Sequence, residues 1–294
     1  MSIVKSLAVG EGDMYYIEHG SDNFTIIDCC MSEDQRAAII EEIQSESRGK
    51  GITRFISTHP DEDHIYGLAD LDAAIGILNF YCVKNEATKP DETVDFLKYC
   101  QLRDDSKKAF YIKRGCSRKW MNVTDDERGS SGINMLWPDV DSEHFKSALD
   151  DAKAGKSANN ISCIVKYSLN DGVTVLWMGD LETDFMDRVQ DGVKLDAADI
   201  LFAPHHGRQT GRVPAKWIGE IDPKIVVLGE APSADLDYYK GYNTITQNSA
   251  GEVTFLCEEG ETHIYVSKQT YSVSFLEDEG KPNTYGKYIG TLKA

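Results

Sequence analysis

No two cysteines in this sequence have the C-x-x-C spacing, and their number, seven, is odd. Both facts argue against a disulfide framework and against a cysteine zinc ribbon. The thiols are therefore read as reduced. No apolar run approaches the ~18 residues that a membrane helix needs, so no membrane partner is expected. The opening residues Met1-Ser2-Ile3-Val4-Lys5 lack the apolar region of a secretory signal, and the expectation is a soluble, cytoplasmic protein. Positive charge is scarce: 31 Lys and Arg stand against 49 Asp and Glu, a formal net charge of −18. Such a surface repels nucleic acid at long range, so a nucleic-acid substrate would need a local basic or metal-lined trough. Phosphate-cradling glycine–lysine loops, separate Ser–His–Asp arrangements, internal repeats and low-complexity linkers are also missing.

What is present is a series of short apolar runs separated by Gly/Asp turns. Residues 3–9, 14–18 and 24–28 read as a meander of strands, and Ile52–Ser57 as a buried strand followed by a helix over Ala69–Ile77. A second organised half begins near Asn159. It holds strands over Ile161–Tyr167, Val173–Met178, Ala198–Ala203 and Lys224–Gly229, and a late hairpin over Glu252–Ser267. Strands in both halves, with helices after the loops, predict an α/β (α+β) protein of two sheets packed face to face and covered by helices. One domain spanning 1–294 is expected, with a less readable, insertion-like region at about 78–158. The basic stretch Lys107–Lys119 in that region is either a solvated face or a substrate-phosphate contact.

The densest chemistry follows the Ile52–Ser57 strand, in Thr58-His59-Pro60-Asp61-Glu62-Asp63-His64. In an extended loop, residues two apart face the same way, so His59 and Asp61 can converge on one ion. Asp63 and His64, where the loop turns into a helix, can address a neighbouring position. Nitrogen and carboxylate ligands suit zinc, manganese or iron(II). Two later clusters can close the same site. Asp180, in Met178-Gly179-Asp180, is alone a turn former, but beside the first cluster it reads as a carboxylate bridging two ions. Pro204-His205-His206-Gly207 either caps a strand or brings imidazole to the metal. Four of the seven histidines lie in these clusters, and His19, His144 and His263 are read as structural or surface residues.

The order strand–His-x-Asp-x-Asp-His, Gly-Asp, His-His-Gly resembles the metallo-β-lactamase superfamily. More narrowly, the chain resembles the hydrolase domain of competence-type DNA-uptake proteins. Gly10-Glu11-Gly12-Asp13, Ile27-Asp28-Cys29 and Asn159-Asn160-Ile161-Ser162 match that branch's motifs. The resemblance implies a four-layer αββα sandwich with two divalent metal ions, zinc first and manganese second. It implies metal ligands at His59, Asp61, Asp63, His64, Asp180 and His206. It leaves His205 as a substrate-contacting group and Asp28 as a support behind the ligands. Asn159 or Asn160 stands where many relatives have a histidine ligand, and implies a weaker ligand or a substrate contact. Arg208 either meets an anionic substrate or is a surface residue.

The implied activity is hydrolysis by metal-activated hydroxide, with Asp63, Asp180 and His205 as the catalytic residues. A phosphodiester is the expected substrate, cleaved by a nuclease or a phosphodiesterase. A small anionic substrate accords better than long duplex DNA with the acidic charge. The alternatives are hydrolysis of a lactone, thioester or β-lactam, and a catalytically weak, metal-stabilised binding protein.

Overall fold

Short apolar runs bounded by tight turns build the strands, and their order fixes where the loops emerge. The computed structural model describes residues 1–293. Strands β1 (Ser2–Ser6), β2 (Tyr15–Glu18) and β3 (Asn23–Ile27) form an antiparallel meander. After the two-residue β4 (Cys29–Cys30) and helix α1 (Arg36–Glu46), β5 (Ile52–Ile56), β6 (Phe80–Cys82) and β7 (Ala109–Tyr111) extend the sheet in parallel. Helices α2 (Glu62–Ile65), α3 (Leu68–Ile75) and α4 (Val94–Asp104) lie in the crossovers.

A second sheet holds β8 (Ile133–Trp137), β9 (Ile164–Ser168) and β10 (Thr174–Trp177), paired antiparallel. It continues in parallel with β11 (Ile200–Phe202), β12 (Ile225–Leu228) and β13 (Thr244–Thr246). Helices α5 (Glu143–Lys153), α6 (Thr183–Val189) and α7 (Ala215–Ile221) connect its strands. The short α8 (Gln247–Ala250) leads to β14 (Val253–Glu258), β15 (Glu261–Val266) and β16 (Lys287–Lys293), which return to the first sheet beside β1. Among the described residues the first sheet thus has nine strands and the second six.

Alternation along the strands sorts side chains into two cores. From β2, β3, β5 and β6, the residues Tyr15, Ile27, Ile56 and Tyr81 face the second sheet and share one cluster with Trp177 and Phe202. The Tyr15 ring lies 4.8 Å from that of Phe202 and 6.0 Å from that of Trp177. The intervening Tyr16, Ile26, Phe55 and Phe80 face the other way, onto Ile43 of α1, Leu71 of α3 and Phe96 of α4. Phe145, Phe185 and Trp217 of α5, α6 and α7 join the inter-sheet cluster from the outer side. The fold is therefore a four-layer αββα sandwich, as the alternating runs predict. A one-residue slip of β5 would exchange the two faces and set each apolar side chain against the wrong core.

Residues 78–158, hard to read as sequence, supply β6, α4, β7, β8 and α5. Their strands are only three to five residues long and lie toward the sheet edges, which blurs the alternation. The basic stretch is engaged within the protein. Arg114 pairs with Asp139 and Lys119 with Asp125, and the Arg118 guanidinium lies 4.9 Å from the Tyr81 ring centroid. These contacts favour the bland reading of that stretch. No described helix is long and apolar enough to cross a membrane.

Candidate metal centre

Four strands end at the site. Strand β3 delivers Asp28, β5 the His59–His64 loop, β10 Asp180, and β11 His205 and His206. The parallel pairings Ile27↔Ile56 and Leu176↔Leu201 bring these ends level within each sheet. Residues far apart in the sequence thus meet at one rim of the sandwich.

His64 is the best-anchored histidine of the cluster. Its Nδ1 lies 2.9 Å from Asp28 Oδ2, while its Nε2 lies 3.0 Å from Asp180 Oδ1. Asp28 also accepts the Thr58 backbone N–H at 2.7 Å and the Thr58 hydroxyl at 2.6 Å. This carboxylate therefore orients the His64 ring and ties down the loop that carries it. His206 has the same construction. Its Nδ1 lies 3.1 Å from Asp13 Oδ1, and its Nε2 lies 3.3 Å from Asp63 Oδ2 and 3.5 Å from Asp180 Oδ2. The Tyr15 hydroxyl donates to Asp13 Oδ1 at 2.7 Å. One set of ligand atoms from Asp13, His64, Asp180 and His206 falls within 4.8 Å of one another, and all four residues are buried.

Four of these atoms are buried without an aligned hydrogen bond, namely His59 Nε2, His64 Nε2, Asp180 Oδ1 and His206 Nδ1, the last three having only ion-pair contacts with one another or with Asp13. Leaving such groups unmade costs about 1–3 kcal/mol each, so their concentration at one place calls for a cation. The donor set, imidazole nitrogen and carboxylate oxygen, fits a divalent transition metal.

The protonation equilibria point the same way. Burial opposes charge on His64, but Asp180 and Asp28 outweigh it and hold the imidazole well above its usual range. His206 is likewise raised to about 10, because Asp13 and Asp180 overcome its burial. Burial would raise Asp63 and Asp180, yet the neighbouring histidines hold both below the usual carboxylate range. His59 moves downward, through burial and the charge on His64. Protons thus stand in for positive charge that a metal ion would bring.

Backbone strain is concentrated here too. Of the six described non-glycine residues with positive φ, three are Asp28, His205 and His206. Such conformations cost about 1–3 kcal/mol each and persist where the surroundings enforce them. Gly179, at φ +51°, has no such alternative. A Cβ there would come within 2.7 Å of Ser162 Oγ and 2.9 Å of Thr58 Cβ. That close approach lets Ser162 Oγ accept the Asp180 N–H at 3.0 Å.

The remaining expected site residues divide. His205 sits at the rim, with Nδ1 2.8 Å from Thr210 Oγ1 and Nε2 3.6 Å from Asp180 Oδ2. Asp61 lies 3.6 Å from His59 Nε2 through Oδ2, but its Oδ1 is in contact with the ammonium of Lys89. The Asn159 and Asn160 amides donate to Glu182 at 3.3 and 2.7 Å, and Asn160 Oδ1 accepts the Glu182 N–H, so the Asn160 carboxamide is engaged at both ends. Arg208 pairs with Glu11 at 2.8 Å, which fastens the Gly10–Gly12 turn over the site instead of leaving the guanidinium free. Asp13 and Lys89 were missed as site residues. Asp13 ends a Gly-x-Gly-Asp turn before a strand, a signal that marked the turn but not its partner.

An αββα sandwich whose strand ends gather histidines and aspartates around a cation position is the architecture of a metallohydrolase. The family model described as the metallo-beta-lactamase superfamily matches residues 7–132, which include Asp13, Asp28 and the His59–His64 loop. The match spans less than half of the chain, and over that part the chain is similar to the superfamily. A crystal structure of the metallo-β-lactamase SMB-1 with mercaptoacetic acid is similar at 12% identity, covering 68% of this chain and 79% of that one, with a TM-score of 0.38. A structure of BJP-1, a subclass B3 metallo-β-lactamase of Bradyrhizobium japonicum, is similar at 16% identity, covering 65% and 70%, with a TM-score of 0.34. Comparison with curated protein sequences gives no significant match.

Proposed function

We propose that this protein is a metal-dependent phosphodiesterase, acting on a short or small phosphodiester substrate. The observation that carries the reading is the convergence at one rim of buried imidazole and carboxylate atoms without an aligned hydrogen bond, with Lys89 beside them. Zinc is the first candidate and manganese the second, because the donors mix nitrogen with several carboxylates. His64, Asp180, His206 and Asp63 would hold the ion. When bound, the ion supplies a water of lowered pKa and stabilises charge at the attacked phosphorus.

The chain's own residues supply the rest. Asp63, whose side chain is 36% exposed, turns Oδ2 toward His206 and would have its other carboxylate oxygen left to take a proton from the attacking water. Asp180, buried and held ionised by His64 and His206, keeps the ligand imidazoles in place. His205, anchored through Nδ1 by Thr210, can protonate the leaving oxygen from the rim. Lys89 offers positive charge to an anionic substrate. A cleft of about 480 Å³ is lined by Glu182, Thr183, Asp184, Gln209, Thr210, Arg212 and Tyr238, and Thr210 joins it to His205.

The test is turnover of bis(p-nitrophenyl) phosphate, a lactone and a thioester by metal-loaded protein, with zinc and with manganese. Phosphodiester cleavage is expected to dominate. Asp63→Asn is expected to lower it about 10²-fold or more, the typical contribution of a positioned proton acceptor. Cleavage of the acyl substrates with no phosphodiester turnover under either metal would overturn the reading.

A further inference from the structure

The Lys89 ammonium touches Asp61 Oδ1, and the other oxygen of that carboxylate faces His59 Nε2 at 3.6 Å. Both Asp61 and Lys89 are largely buried, with side-chain exposures of 20% and 24%. His59 and Asp61 are the pair from which an outer metal position would be built. No third imidazole completes that position: the Asn159 and Asn160 amides donate to Glu182, and Asp180 faces His64 and His206. The inner position is differently made. Its ligand atoms come from His64, Asp180, His206 and Asp63, and Lys89 contacts none of these carboxylates.

We infer that Lys89 takes the place of an outer metal ion, so that the centre binds one divalent cation and not two. The reason is electrostatic. A carboxylate in contact with an ammonium has spent the charge that would attract a divalent ion, and the ammonium repels any cation brought close to it. Two imidazole or carboxylate donors without a third do not offset that repulsion. The positive charge facing the substrate is then covalently part of the chain. Lys89 lies on the segment that follows β6, so this charge arrives with the loop at the rim rather than with a second ion.

This inference rests on the metallohydrolase reading, and the metal count separates the two. Metal-free full-length protein would be titrated with Co²⁺, followed by its visible absorption, and with Zn²⁺, followed by metal analysis after desalting. The wild-type chain is expected to saturate at one equivalent of either ion. Lys89→Arg, which keeps the charge, is expected to stay at one. Lys89→Met, which removes it, is expected to take up a second, weaker equivalent at Asp61 and His59. His59→Ala should retain the single ion of the wild type, whereas His206→Ala should lose it, with circular dichroism reporting that both variants remain folded. Two equivalents in the wild type, or no additional uptake by Lys89→Met, would overturn the assignment of Lys89. No ion in the wild type at all would remove the metallohydrolase reading beneath it.

Discussion

At the scale of single residues, two carboxylate–imidazole pairs do the same work from opposite sides. Asp28 faces Nδ1 of His64, Asp13 faces Nδ1 of His206, and both rings turn Nε2 toward Asp180. Groups that orient metal ligands typically contribute 10–100-fold in metal affinity. Asp28→Ala and Asp13→Ala are therefore each expected to weaken zinc binding by about that factor, measured by competition with a chromogenic chelator. Asp28→Asn should fall between them and the wild type, because asparagine tolerates the left-handed backbone that Asp28 adopts at φ +56°. Unchanged affinity in both alanine variants would show that neither carboxylate orients its histidine.

Protonation makes a second residue-scale prediction, for the metal-free protein. His206 is raised to about 10, and His64 lies well above its usual range. An unfolded histidine titrates near ~6.5. Groups raised on folding add stability that is complete below the unfolded value and is lost as pH rises through the folded one. Asp63 and Asp180 are lowered, so their contribution is present above about 3.9 and is lost as pH falls. Through His64 and His206, chelator-treated protein should thus lose Tm steadily from about pH 6.5 toward pH 10, while His59, lowered by burial, and the two carboxylates make it lose Tm toward acid. Zinc should flatten the alkaline side, because the ion replaces the protons. Thermal unfolding across this range with and without zinc checks it, and a flat metal-free profile above pH 6.5 would contradict the charge assignment.

At the scale of elements, the site depends on how each strand ends. Strand β10 ends in Gly179, whose missing side chain allows Thr58 and Ser162 to close on it. Gly179→Ala combines a positive φ with contacts under 3.0 Å, so a destabilisation of about 1–3 kcal/mol is expected, with metal affinity falling at the same time. Denaturant unfolding and metal titration of one preparation test the coupling. Loss of stability with intact metal affinity would separate Gly179 from the centre. The elements best read from sequence were the apolar runs bounded by turns: β5, β10 and β12 appear within a residue or two of expectation. Strand β16 was not anticipated. Its edge position, partial exposure and Gly290 leave little alternation to read. Helix α7 is only seven residues long and escaped for lack of repeated turns.

For the whole molecule, the acidic surface decides which substrates can approach. At a formal charge of −18, long duplex DNA is repelled over several Debye lengths at low salt, whereas a short phosphodiester carries little charge to repel. Cleavage of duplex DNA is expected to be slow at low ionic strength and to rise with added salt, opposite to the behaviour of a basic nuclease. Cleavage of a dinucleotide should change little. Rates for both across a potassium chloride series measure this, and a duplex rate that falls steeply with salt would reveal a basic trough for nucleic acid.

Some of this was decided by the sequence alone. Short apolar runs determine that β2, β5 and β6 form strands covered on both faces, because run and turn are local and a strand sends successive side chains to opposite sides. The inventory of imidazoles and carboxylates at strand ends, and the sign of the surface, are likewise properties of composition and order. What only the tertiary structure decided is which of these groups meet. The packing of two sheets brings Asp13 to His206, turns Asn159 and Asn160 toward Glu182, and sets Lys89 against Asp61. Each of those pairs joins loops remote in the chain. A charge or hydrogen bond acts over a few ångströms of space, and no spacing in the sequence measures that distance.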